Sequence, residues 1–225
     1  MKGKSLFLLL VIVLLFFVGF KIYDQPALVN RFSQKETYKV LFIPYQNVSE
    51  KDKAIIKEAL ERFYKVDVTV NEPLDLPKET FIQVKSPRYR ADKLIKWQKT
   101  MAKNYDFVIG FTNSDISTSK LNDLGLIKEP KSKYEDWGIM GLAYCPGKSC
   151  IVSSFRIKHN DRKVFEDRLK KVVVHEFGHN LGLKHCPDKL CLMTDAVETV
   201  NTIDRAKFEL CAPCKSQIKN KLKSN

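Results

Sequence analysis

A chain of 225 residues with 44% hydrophobic and 29% charged side chains has the make-up of an ordinary globular protein and can build one domain with a sizeable core. The formal net charge of +13 is carried by lysines scattered along the whole chain, without an aromatic-interleaved basic motif or a nucleic-acid-binding module, so no nucleic-acid partner is expected. Anionic lipid headgroups suit that charge better, because of how the chain begins.

Lys2 and Lys4 precede the apolar run Leu6 to Phe20, and Lys21 closes it. A basic stretch followed by an apolar one is the pattern of a secretory signal. Fifteen residues are short for a membrane span, which takes about twenty, but Lys21 can snorkel and Ile22 and Tyr23 extend the apolar character. No A-x-A cleavage signal follows Phe20, and no cysteine is there to carry a lipid. Residues 1–23 are therefore read as a signal-anchor, with a cleaved signal peptide and secretion as the alternative; either places the remainder outside the cytoplasm. Residues 24–37 are polar and aperiodic and read as a tether.

The folded domain is expected over residues 38–225. Tyr38 to Ile43 reads as a strand ending at Pro44. Ser49 caps a helix with Ile55, Ile56, Leu60 and Phe63 at helical spacing. Val66 to Val70 alternates apolar and polar, a second strand. Asn71 to Pro87 carries three prolines and reads as an irregular connection. A helix over Arg90 to Lys103 and a buried strand over Asp106 to Phe111 follow, then a loop over Thr112 to Glu135. Gly138 to Tyr144 and Ile151 to Phe155 form two strands joined by a hairpin turn at Pro146-Gly147. A long helix starts near Asn160 or Asp161, its Phe165, Leu169, Val172 and Val173 directed at the sheet. This order gives an α/β fold, a mixed sheet with helices on its faces, its first three strands parallel and an antiparallel strand at an edge.

Three of the four histidines lie in the stretch His175-Glu176-Phe177-Gly178-His179-Asn180-Leu181-Gly182-Leu183-Lys184-His185-Cys186. His175 and His179 are four apart and share a helix face, so both can reach one ion. Six further residues of helix would turn His185 roughly 240° away from His179. The chain must leave the helix between them, and Gly182 can adopt the left-handed conformation that ends helices. Three neutral imidazoles with an open fourth position make a catalytic zinc site. Glu176 points to another side, where it can act as general base on a zinc-activated water attacking a peptide carbonyl. Glu198 is a rival third ligand, but His185 already fills that role.

Cys186 and Cys191, with Cys211 and Cys214, form two close pairs about twenty residues apart. A four-thiolate structural zinc site and two disulfides are the alternatives, and the C-x-x-C spacing favours zinc, giving two Zn²⁺ per chain. Cys145 and Cys150 sit at opposite ends of the hairpin turn, where a disulfide is expected if the chain is exported. His159 reads as a surface residue.

The whole string from His175 to Cys214, H-E-x-x-H-x-x-G-x-x-H-C-x4-C-x-M-x17-C-x-x-C, is similar at every fixed position to the signature of the archaemetzincin family in the metzincin clan. Gly141-Leu142-Ala143 and Ser153-Ser154-Phe155-Arg156 resemble the strands that precede that family's catalytic helix. The resemblance implies a compact metzincin-like domain, a twisted mixed sheet whose antiparallel edge strand lines a shallow cleft, and a peptidase acting on a peptide or protein substrate. It implies His175, His179 and His185 as catalytic zinc ligands, Glu176 as general base, Met193 as a methionine under the metal, and Cys186, Cys191, Cys211 and Cys214 around a second zinc. The apolar N-terminus and the Cys145/Cys150 pair stand outside the family pattern. A monomer is expected, tethered to the membrane with the catalytic domain facing outward. The alternative function is a catalytically silent, zinc-stabilised protein-binding module.

Overall fold

The structure, a computed structural model, describes residues 37–195 and 199–223. The apolar run of residues 1–23, the tether up to residue 36 and Glu198 lie outside the described residues. Among the described residues no helix is long and apolar enough to cross a membrane.

In chain order the elements are β1 (Lys39–Pro44), α1 (Glu50–Tyr64), β2 (Asp67–Val70), β3 (Phe81–Gln83), β4 (Pro87–Arg90), α2 (Ala91–Gln98), β5 (Phe107–Thr112), β6 (Ile116–Thr118), the one-turn α3 (Lys131–Tyr134), β7 (Trp137–Ile139), β8 (Gly141–Ala143), β9 (Ser149–Ser153), α4 (Arg162–Asn180), α5 (Val200–Arg205) and α6 (Ala212–Lys223). Ser49 caps α1 as its sequence indicates, its hydroxyl accepting from the Asp52 amide at 3.1 Å. Asp161 does the same for α4, accepting from the Lys163 amide at 2.8 Å.

The main sheet has the order β2-β1-β5-β9-β8. β1, β2, β5 and β9 run parallel, and β8 pairs antiparallel with β9 at the edge. Strand alternation divides the core in two. Val40, Phe42, Ile109, Phe111 and Val152 point to the face covered by α1 and α4, where they meet Ile56, Leu60, Leu169 and Val173. Leu41, Ile43, Val108 and Ile151 point to the other face, against Leu94 and Ile95 of α2. The central strands are thus apolar on both sides, and their near-continuous hydrophobic runs follow from that.

Two stretches read as irregular from the sequence are ordered. β3, β4 and β6, with β7, build a second sheet of order β3-β4-β6-β7. Its strands are three or four residues long, too short for alternation to register. Ile116, with Tyr89 and Ile139, packs this sheet against α2, and ion pairs from Arg88 (2.7 Å) and Arg156 (2.8 Å) to Asp115 and a hydrogen bond from Arg90 to the Glu135 carbonyl (2.9 Å) tie its strands and loops together. The single strand expected over Gly138 to Tyr144 is two strands with Met140 between them. β7 belongs to the second sheet and β8 to the main one, so this segment ties the sheets together. The helix expected to run to Lys103 ends at Gln98 and tightens into a 3₁₀ turn.

Gln98 shows why it stops there. Fully buried, it donates to Ser149 Oγ (3.0 Å) and the Cys150 carbonyl (2.5 Å) and accepts from the Tyr45 hydroxyl (3.2 Å), joining α2 to β1 and β9. Gln98→Leu leaves these groups without partners in the core. A loss of ~2–4 kcal/mol is expected in denaturant unfolding of the domain, with an unchanged slope.

Candidate active site

α4 carries His175, Glu176 and His179, and then stops. The amides of Gly182 and Leu183 bond back to the carbonyls of His179 (2.7 Å) and Gly178 (3.0 Å), and Gly182 takes φ +89°. The chain reverses and returns His185 to the helix. The three imidazole centroids lie 4.7, 4.8 and 5.4 Å apart.

The orientation of the rings decides what they can hold. His175 Nδ1 donates to the Leu192 carbonyl at 2.8 Å, and His179 Nδ1 donates to the Leu183 carbonyl at 2.6 Å. A carbonyl accepts only, so each Nδ1 carries the proton and each Nε2 keeps its lone pair. The two Nε2 atoms are 3.1 Å apart with no proton between them. Two lone pairs at that distance repel unless a cation sits between. Tetrahedral zinc with Zn–N of about 2.0–2.1 Å places two nitrogens about 3.3 Å apart, so the donor set fits it. Burial and the neighbouring histidines push His175 down to about 3, and burial lowers His179, which keeps both rings neutral. His185, half-exposed, has Nδ1 3.5 Å from Asp195 Oδ2.

Glu176 is 8% exposed and packs against β8. A Cβ on Gly141 would come within 2.5 Å of Glu176 Cγ, so this carboxyl lies where only glycine leaves room. Desolvation raises Glu176 from 4.5 to about 8. Met193 is fully buried beside α4, its sulfur 2.7 Å from the position of a Cβ on Gly178, and its carbonyl accepts the Cys186 amide at 2.8 Å.

Cys186, Cys191, Cys211 and Cys214 converge, with all four Sγ atoms within 4.8 Å of one another. Cys186 and Cys211 Sγ are 3.6 Å apart, far beyond the ~2.05 Å of a disulfide and close to the ~3.8 Å between two thiolates on tetrahedral zinc. A hydrogen bond from the Cys214 backbone lowers the Cys211 thiol. The expected bond between Cys145 and Cys150 is not formed. The residue facing Cys150 across the hairpin is Ala143, the Cys150 side chain is buried in the core, and Cys145 Sγ turns to the Leu183 carbonyl at 3.3 Å. His159 is exposed, as its position before α4 suggests, its Nδ1 accepting from the Asp161 amide.

A cleft of about 780 Å³ opens over His175, Glu176 and His185. β7 and β8 form one wall, and residues of α5 and the segment before it form the other. Sequence reasoning missed Gly141 as the neighbour of Glu176, the Leu183 and Leu192 carbonyls that set the two tautomers, and Asp195 beside His185. Backbone carbonyls have no sequence signature, and a single aspartate has no periodicity.

Two buried titratable groups of the site, His175 and Glu176, have opposite linkages in protein whose histidine site is free of zinc. The His175 pKa is lower when folded, so stability is lost as pH falls from about 6.5 towards about 3. The Glu176 pKa is higher when folded, so stability is lost as pH rises from about 4.5 through about 8. Of these two groups only Glu176 contributes between about 6.5 and 8, and Glu176→Gln should remove its share of the alkaline loss while keeping the acid one. Denaturant titrations of both chains across this range check it; an alkaline limb of equal depth in the variant would assign the loss elsewhere.

The fold and the sequence have close relatives. The family model of Peptidase family M54 matches residues 53–220. Archaemetzincin of Halobacterium salinarum is 30% identical over 189 residues, spanning 80% of this chain and 99% of that one. The crystal structure of archaemetzincin from Methanopyrus kandleri superposes with a TM-score of 0.68 at 26% identity, covering 85% of this chain and 99% of that one. The archaemetzincin of Archaeoglobus fulgidus shares the fold, with a TM-score of 0.63 at 23% identity over 80% of this chain and 99% of that one. The chain belongs to peptidase family M54, the archaemetzincins.

Proposed function

We propose that this zinc metallopeptidase hydrolyses peptide bonds with His175, His179 and His185 holding the catalytic zinc and Glu176 as general base. The observation that carries the reading is the pair of Nε2 lone pairs facing each other at 3.1 Å beside a buried carboxyl. His175, His179 and His185 would hold the zinc, which when bound would polarise a carbonyl and lower the pKa of a bound water to about 7. Glu176 takes the proton of the attacking water and passes it to the leaving amine. Burial raises Glu176 to about 8 in the absence of a metal, and a zinc cation beside it would favour the ionised carboxylate that accepts the proton. The Leu183 and Leu192 carbonyls hold the two helix-borne rings in the ligating tautomer. β8 is the edge of the main sheet and lines the cleft, so an extended peptide can add to it as a further strand.

A second zinc on Cys186, Cys191, Cys211 and Cys214 is supported by their convergence, and it would contribute on the order of 10 kcal/mol to folding of the C-terminal segment. Met193 packs as a fixed floor against α4. The sequence of residues 1–23 supports tethering of the domain at a membrane, facing outward.

Two variants separate base from scaffold. Glu176→Ala should lower peptide cleavage by about 10²- to 10⁴-fold while elemental analysis finds zinc near two per chain; undiminished cleavage would remove Glu176 from the chemistry. Gly141→Ala forces the Glu176 carboxyl aside and should lower kcat/KM by about a hundredfold with zinc content unchanged.

A further inference from the structure

The cationic side chains lining the cleft are not equivalent. They are Lys85, Arg88, Lys120, Lys133, Arg156 and Lys171. Arg88 bridges Asp115 and Asp136, Arg156 holds Asp115, and Lys171 pairs with Asp167. Lys85, Lys120 and Lys133 meet no carboxylate among the described residues. Lys85 Nζ donates to the Lys133 carbonyl at 2.7 Å, which brings the two together. Lys120 Nζ stands 3.9 Å over the Trp137 ring, and Lys133 Nζ lies 5.1 Å from the Tyr134 ring and 6.0 Å from that of Trp137. Tyr134 and Trp137 are themselves stacked, with centroids 5.7 Å apart.

This aromatic platform positions ammonium groups without neutralising them. A cation–π contact occupies none of the three N–H donors of Lys120, and among the described residues none of them finds an acceptor. Of the acidic groups elsewhere in the cleft, Asp136 accepts from Arg88 and the Lys85 amide, Glu176 is buried, and Asp195 lies at His185. Lysines are common in this chain, and most are scattered on its surface. These three converge on one wall of the cleft that holds the catalytic residues.

The wall also sets a distance. Trp137 opens β7, and Gly141, against Glu176, is four residues further along the chain. At about 3.3 Å per residue the backbone of Trp137 lies within ~13 Å of that of Gly141, a spacing of three to four residues of an extended peptide.

We propose that Lys85, Lys120 and Lys133 form a subsite that selects an acidic side chain, Asp or Glu, three or four residues from the scissile bond. The inference rests on the peptidase reading of the same cleft, and it adds the substrate class: acidic peptide segments. The lysine ammoniums, which meet no carboxylate among the described residues, donate to the substrate carboxylate.

The test uses the zinc-loaded full chain carrying Glu176→Ala, so that peptides bind without turnover. Pairs of fluorescent decapeptides, identical except that one Glu is replaced by Gln, are scanned position by position by anisotropy. The Glu member is expected to bind on the order of tenfold more tightly at one or two adjacent positions, with the ratio shrinking as salt is raised. Adding Lys120→Ala and Lys133→Ala should bring the ratio towards one, and Lys120→Glu with Lys133→Glu should invert it. Equal binding at every position, or a ratio unchanged in both double variants, would overturn the subsite. Cleavage of the same peptides by the unsubstituted chain is scored separately. Selective binding with no cut by the zinc-loaded chain would overturn the peptidase reading while supporting the acidic subsite. Cuts without any preference for Glu in binding would do the reverse.

Discussion

Two imidazole nitrogens face each other 3.1 Å apart, each with its lone pair turned inward because its other nitrogen donates to a carbonyl. Most of the C-terminal half is arranged to hold that arrangement. The helix supplies the spacing of His175 and His179, but the two carbonyls come from the chain beyond it. Leu183 follows the break at Gly182, and Leu192 lies between Cys191 and Met193. The tautomers, and with them the ability to ligate, therefore depend on segments beyond the helix, whose Leu183, Leu192 and Met193 are buried in the core. The cysteine cluster secures those segments. Cys186 follows His185 directly and its amide bonds to Met193, while Cys191 Sγ accepts from the Cys211 amide. A metal on the four thiols would fix the loop that orients the histidines, so the two proposed sites form one mechanical unit.

The other wall of the cleft follows from the division of one segment between two sheets. β7 closes the ion-paired sheet, β8 closes the apolar one, and the turn at Met140 joins them. β8 brings Gly141 against Glu176, and burial there raises that carboxyl towards neutrality. β7 brings Trp137 and its lysines to the same cleft. The proposed base and the proposed charge-selecting lysines thus flank the bend at Met140 that joins the two sheets.

The sequence made the main sheet legible for a physical reason. Val40 to Ile43, Val108 to Phe111 and Ile151 with Val152 are buried on both faces, so nearly every position is apolar. The second sheet was not legible, because Arg88, Asp115, Asp136 and Arg156 hold it across long stretches of chain, and polar residues in three-residue strands read as loop. The proposed metal ligands were legible because their spacing is dictated by helix geometry and by tight knuckles. Gly141, Asp195 and the lysine platform were not, since each acquires its neighbour only when distant segments meet. The turn at Pro146-Gly147 is legible, but the strand after it is Ser149–Ser153 rather than Ile151 to Phe155, and the register sets Ala143, not Cys145, opposite Cys150.

The central claim is that one domain carries a three-nitrogen site and a four-sulfur site, both for zinc. X-ray absorption at the zinc edge of the purified, fully loaded chain tests it most directly. The account predicts two resolved shells, nitrogen and oxygen at about 2.0–2.1 Å and sulfur at about 2.3 Å, in proportions set by one site of each kind. A single shell, whether of sulfur alone or of nitrogen and oxygen alone, would contradict it.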